Sequence, residues 1–93
     1  MDKNEKLNMM NKMLRELEDI MNSQTSLLKK ITQLEAENIN LGNSLLEKKL
    51  PDIHGQIDDA LTIVTTLQNE FQEATQKFIK DNNLGEALPE PGT

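Results

Sequence analysis

The sequence predicts an all-α protein: two long antiparallel helices forming a helical hairpin or coiled coil, with a flexible C-terminal tail. Three observations carry that expectation. Apolar residues recur in the 3,4,3,4 rhythm of a helix–helix seam in both halves of the chain. Turn-forming residues cluster near the middle, at Gly42-Asn43-Ser44 and again at Pro51. Side chains large enough to build a globular centre are scarce, with two phenylalanines and no tryptophan or tyrosine in 93 residues. Leucine, isoleucine and methionine remain, and they suit narrow seams between helices.

The first helix begins near Lys3. Its seam runs Leu7, Met10, Leu14, Leu17, Met21, Gln24, Leu28 and Ile31, a heptad series with one polar member. Leu27, Ile31, Leu34, Asn38, Leu41 and Leu45 then repeat the rhythm in a shifted frame. The stripe is therefore expected to be displaced around 28–34, which would overwind a coiled coil locally. Asn22-Ser23-Gln24-Thr25-Ser26 is a polar run of middling helix propensity. It reads as a polar layer within one continuous helix, with a hinge as the alternative.

The second seam is more regular. Leu46, Leu50, Ile53, Ile57, Ala60, Val64, Leu67, Phe71, Ala74 and Phe78 alternate four and three without an error. Leu61 and Ile63 widen the stripe. Thr62 to Thr66 is β-branched throughout, which lowers intrinsic helicity, so packing must hold this segment. The expected interaction surface is accordingly Met10, Leu14, Leu17 and Met21 on the first helix. On the second it is Leu46, Leu50, Ile53, Ile57, Leu61, Val64, Leu67, Phe71 and Phe78.

Two places could hold the turn. At Gly42-Asn43-Ser44, glycine can end a helix in the left-handed conformation, and Ser44 with Glu47 reads as a capping box. Helices of about 57 Å each would result at 1.5 Å per residue. At Lys48-Lys49-Leu50-Pro51-Asp52, cations would end one helix and proline would open the next, leaving about 45 and 30 residues. Each site penalises the other choice, by about 3 kcal/mol for Pro51 inside a helix and about 1 for Gly42. The expectation is an irregular connection within 42–52. Residues 1–83 then form the hairpin, and 84–93 form a disordered tail after Asp81-Asn82-Asn83.

Charge and composition narrow the function. Residues 1–50 carry eight basic and eight acidic side chains, so the net charge of −6 lies wholly in residues 51–93, with two lysines and eight acids. Such an acidic half repels phosphate backbones, which argues against nucleic-acid binding. No apolar run approaches the roughly 20 residues that span a bilayer. The first six residues, Met1 to Lys6, lack the apolar core of a cleaved secretory signal. The expected location is cytoplasmic, or exported without such a signal. There is no cysteine. His54, the single histidine, has Asp58 and Asp59 one turn on, a weak metal set that reads as surface decoration. No nucleophile–base spacing or glycine-rich phosphate loop is present, so no enzyme, cofactor or metal is expected.

A partner is expected instead. Met9, Met13, Ile20 and Leu27 on the first helix, with Leu61, Ile63 and Ile79 on the second, lie off the seams and would stay exposed on a closed hairpin. Methionine adapts to varied surfaces, although it also fills ordinary cores. A helical protein partner or self-association would cover these residues, and insertion into a membrane would not.

An acidic helical hairpin of this length with a mid-chain glycine turn resembles the ESAT-6/WXG100-like proteins of type VII secretion and the small helical partners of LXG toxins. Asn40-Leu41-Gly42 stands where that family has Trp-x-Gly and keeps its glycine. Phe78 stands at the aromatic of the family's export motif; the acid expected four residues later is Asn82 here, with Asp81 one residue earlier. The resemblance implies an adaptor, chaperone or targeting factor that pairs with a larger helical substrate. A homo-oligomeric coiled-coil protein of the phage or viral assembly type, with parallel helices, is the alternative.

Overall fold

The computed structural model describes residues 1–84. It contains helix α1 (Lys3–Leu41) and helix α2 (Ser44–Asp81), packed antiparallel along their whole length. The molecule measures 60 × 21 × 18 Å, one helix long and two helices wide. The expected hairpin is what forms. The expected disordered tail falls, beyond Leu84, outside the described residues.

Each helix end is closed by its own side chains. Asp2 caps α1 by accepting from the Glu5 amide at 2.8 Å, and the Glu5 carboxylate accepts from the Asp2 amide at 3.3 Å. The Glu5 amide holds the Asp2 carboxyl below its ordinary value. The cap is therefore complete above the ordinary aspartate pKa and is lost as pH falls through the lowered one. At the far end of α2, Asn82 donates to the Phe78 carbonyl at 2.9 Å and Asn83 turns left-handed at φ 55°.

The turn is shorter than expected and lies at one edge of the 42–52 window. Gly42, at φ 70°, ends α1 by donating to the Asn38 carbonyl. A side chain at that φ would be strained, which is why glycine serves here. Asn43, rather than Ser44, is the N-cap of α2, and its side chain accepts from the Leu46 amide at 3.0 Å. The expected Ser44–Glu47 box does not form, because Ser44 is already the first helical residue.

Pro51 corrects a second expectation. It lies inside α2, two turns from the start, and interrupts nothing. The Glu47 carbonyl loses its partner four residues on, but Glu47 and Pro51 are both exposed, so water can take the bond. Pro51→Ala should therefore raise stability by about 2 kcal/mol, less than the full interior penalty. Gly55 stands in the same weak stretch, and a Cβ added there would meet nothing within 4 Å. Gly55→Ala should add about 1 kcal/mol. Urea denaturation of both variants checks these values.

The phase slip expected in α1 is absent. Its inward positions continue as Leu28, Ile31, Glu35 and Asn38, and the 3,4 rhythm holds from Leu7 to Asn38. Leu27, Leu34, Leu41 and Leu45 are exposed. The apparent shift came from polar residues at two seam positions, with leucines on the flank beside them.

Candidate interaction surface

Heptad letters locate every side chain on the two helices. With Leu7 at a, the inward rows of α1 are Leu7, Leu14, Met21, Leu28 and Glu35 at a, and Met10, Leu17, Gln24, Ile31 and Asn38 at d. All ten are buried or half-buried. On α2 the d row is Leu50, Ile57, Val64, Phe71 and Phe78. The a row is His54, Leu61, Gln68 and Thr75, again buried or half-buried throughout.

This overturns half of the expected second seam. Its members Leu50, Ile57, Val64, Phe71 and Phe78 do face α1. Its members Leu46, Ile53 and Leu67 do not; they occupy g positions and are exposed, Leu67 by 48 %. A helix that is apolar at both d and g carries two overlapping 3,4 series. Apolar spacing alone finds the more hydrophobic series, d/g, whereas the hairpin closes through a/d. Leu61, expected at the margin, is an inward residue.

Polar side chains therefore occupy the seam, and Glu35, Asn38, His54 and Thr75 each make a hydrogen bond there. Glu35 Oε1 and His54 Nδ1 meet at 2.6 Å across the helices, with the two side chains 30 % and 38 % exposed. Sequence spacing tied His54 to Asp58 and Asp59; the fold brings it to Glu35, 19 residues away. Thr75, 1 % exposed, bonds its own helix at the Phe71 carbonyl. Among the described residues no group of three His, Cys, Asp or Glu side chains is placed to hold a metal ion.

The Glu35–His54 pair fixes register more than stability. A slide of one heptad would part them, setting Glu35 against Leu61 in one direction and His54 against Leu28 in the other. Exchanging both for leucine should raise stability by about 1 kcal/mol or more, since well-packed apolar residues commonly outperform a half-buried pair. Glu35→Ala alone should cost less than about 1 kcal/mol. Thermal unfolding of the two variants tests this.

The g rows form the candidate surface. In α1 they are Met13, Ile20, Leu27, Leu34 and Leu41; in α2 they are Leu46, Ile53, Ala60, Leu67 and Ala74. In an antiparallel pair the g rows of both helices lie on the same side. The structure shows this directly where Met13, Ile20 and Leu67 line one apolar cleft of about 430 Å³ over Leu17 and Phe71. Met9 and Ile63, at c positions, extend the face outward. Near the turn a second cleft of about 390 Å³ runs from Leu46 to Ile39 and Pro51, which are e positions, and so does not belong to the g-row face alone.

The opposite side is different in kind. Its e rows are Asn11, Glu18, Thr25, Thr32 and Ile39 on α1, and Pro51, Asp58, Thr65, Gln72 and Ile79 on α2. Thr25 and Thr32 turn their hydroxyls onto their own helix, bonding Met21 and Leu28 carbonyls. One face of the hairpin is apolar and the other polar.

No protein-family model, curated protein or solved structure matches the chain. No helix among the described residues is long and apolar enough to cross a membrane.

Proposed function

We propose that the protein is a non-enzymatic helical interaction module whose g-row face docks long helices of another chain. The observation that carries this is the asymmetry between its two sides. A helix apolar at a and d alone suits a two-stranded coil, whereas one apolar at a, d and g suits the core of a larger bundle. Helix α1 is of the second kind and α2 is apolar at d and g, and the hairpin leaves the g row of both uncovered. Contiguous apolar patches of this size on a small protein mark interaction sites.

The resemblance to type VII secretion proteins suggests the process: an adaptor, chaperone or targeting factor for an LXG-type substrate. Such a substrate would present its own amphipathic helices to the face. Co-expression with the helical N-terminal domain of an LXG protein encoded beside this chain tests the reading. A co-eluting complex that is lost in Ile20→Glu and kept in Thr32→Glu, on the polar side, is the expected result. A complex equally sensitive to both changes, or none at all, would remove the adaptor reading. A homo-oligomeric assembly protein is the second reading, and it draws on the same exposed rows.

A further inference from the structure

We propose that the cleft at the turn end is a second recognition site, and that it takes the arginine side chain of a protein partner. It shares only Leu46 with the g rows and does not depend on their docking anything. At about 390 Å³ it falls at the lower end of the roughly 300–1,000 Å³ typical of ligand sites. Ile39, Leu46, Leu50 and Pro51 give it apolar walls, and Glu35, Asn38 and Glu47 supply its polar groups.

The donors around the cleft are already engaged. The Asn38 side-chain amide donates to the Asn43 carbonyl, and the Gly42 amide to the Asn38 carbonyl. The Leu46 amide donates to the Asn43 side chain and the Glu47 amide to the Asn43 carbonyl. Acceptors are what remain. Glu35 meets His54 through Oε1, and its other oxygen has no donor among the described residues. Neither Glu35 nor Glu47 pairs with a lysine or arginine among the described residues. The Glu47 backbone carbonyl is free as well, because Pro51, four residues on, has no amide to offer. That carbonyl points along α2, away from the turn and toward the layer of Glu35 and His54. Helix α1 adds the negative end of its dipole, with no basic residue in its last turn.

Apolar walls with free acceptors and engaged donors fit one kind of ligand, a cation on an aliphatic stem. Arginine suits the site better than lysine. Its planar head presents five donors, enough to bond a carboxylate oxygen and a carbonyl together. It is also more weakly hydrated than an ammonium, which matters beside a glutamate whose side chain is only 30 % exposed. Ile39, Glu47 and Pro51 are exposed, so the side chain can enter from outside. The net charge of −6 favours the approach of a basic partner.

Amide NMR titration of the full chain with N-acetyl-arginine amide tests the site. The signals of Ile39, Glu47 and Leu50 should shift together, with a dissociation constant on the order of millimolar, as one side chain permits. Glu35→Gln keeps the shape and removes the charge, so it should weaken binding by on the order of tenfold. Pro51→Ala gives the Glu47 carbonyl an amide, and should weaken binding about threefold while making the hairpin more stable. A change that merely loosened the fold would lower both. Ile20→Glu, on the g-row face, should bind as the parent does, which keeps this site separate from the docking face. Equal binding of N-acetyl-lysine amide overturns arginine as the occupant. Equal binding of N-acetyl-norleucine amide, or no response in the three amides, overturns the site. Unchanged binding in Glu35→Gln does the same.

Discussion

Phe71→Ala should abolish association through the g-row face and lower the melting temperature of the hairpin itself. Phe71 serves both surfaces: it is an inward d residue, and it floors the cleft between Met13, Ile20 and Leu67. Removing a buried phenylalanine costs about 3–5 kcal/mol, and half-burial places this one at about 3. A domain of this size has roughly 4–12 kcal/mol in all, so the loss is a large share. Circular dichroism should show reduced helicity at physiological temperature, with the β-branched run 62–66 among the first parts to fray. Glu73→Ala, on the outer surface of α2, should change neither helicity nor association. If Phe71→Ala leaves the denaturation midpoint and the oligomeric state unaltered, the register described here is wrong.

Asn38→Ala should open the turn. Asn38 is a seam residue, 7 % exposed, and its side chain makes two bonds across the connection. Its amide donates to the Asn43 carbonyl at 3.1 Å, and its carbonyl oxygen accepts from the Asn43 amide at 3.0 Å. The backbone carbonyl of the same residue takes the Gly42 amide at 2.7 Å. One asparagine thus ties together the end of α1 and the start of α2. Truncating it deprives two backbone groups of their partners at once, each loss worth about 1–3 kcal/mol where water cannot replace it. The expected net cost is about 2 kcal/mol, since the turn is partly open to solvent. Asn38→Asp keeps the acceptor and loses the donor, so it should cost about half as much. Amide hydrogen exchange at Asn43 gives a local readout: fast in Asn38→Ala, slow in the parent and intermediate in Asn38→Asp. Equal protection in all three would show that Gly42 and the Asn43 cap hold the turn without Asn38.

The sequence alone determined that the chain is helical and pointed to two helices in an antiparallel pair, with a parallel coil as the alternative. These follow from local terms: the heptad rhythm, the helix-ending asparagines at 82 and 83, and a glycine placed where two equal helices meet. Local terms could not choose between Gly42 and Pro51 as the turn. A proline penalty of about 3 kcal/mol outweighs a glycine penalty of about 1 in an isolated helix. The order reverses because Pro51 lies on solvent and near a helix start, while Gly42 donates to the Asn38 backbone carbonyl and the Asn38 side chain holds Asn43 beside it.

The seam that closes the hairpin was decided only by tertiary structure. Apolar spacing marks d and g on α2 as the stronger series and makes α1 seem to slip after Leu28. The helices instead meet through a and d, burying Gln24, Glu35, Asn38, Gln68 and Thr75 in part or in full. The physical reason is that two helices can share only one pair of rows, and several of the polar residues in the contact find a bond there: Glu35 with His54, Asn38 with Asn43, Thr75 with Phe71. Hydrophobicity is a property of one helix, whereas the Glu35–His54 bond exists only because the fold brings those two positions together. The g rows left outside are legible in the sequence as apolar residues. That they share one side of the molecule, and make a surface, is a consequence of the pairing.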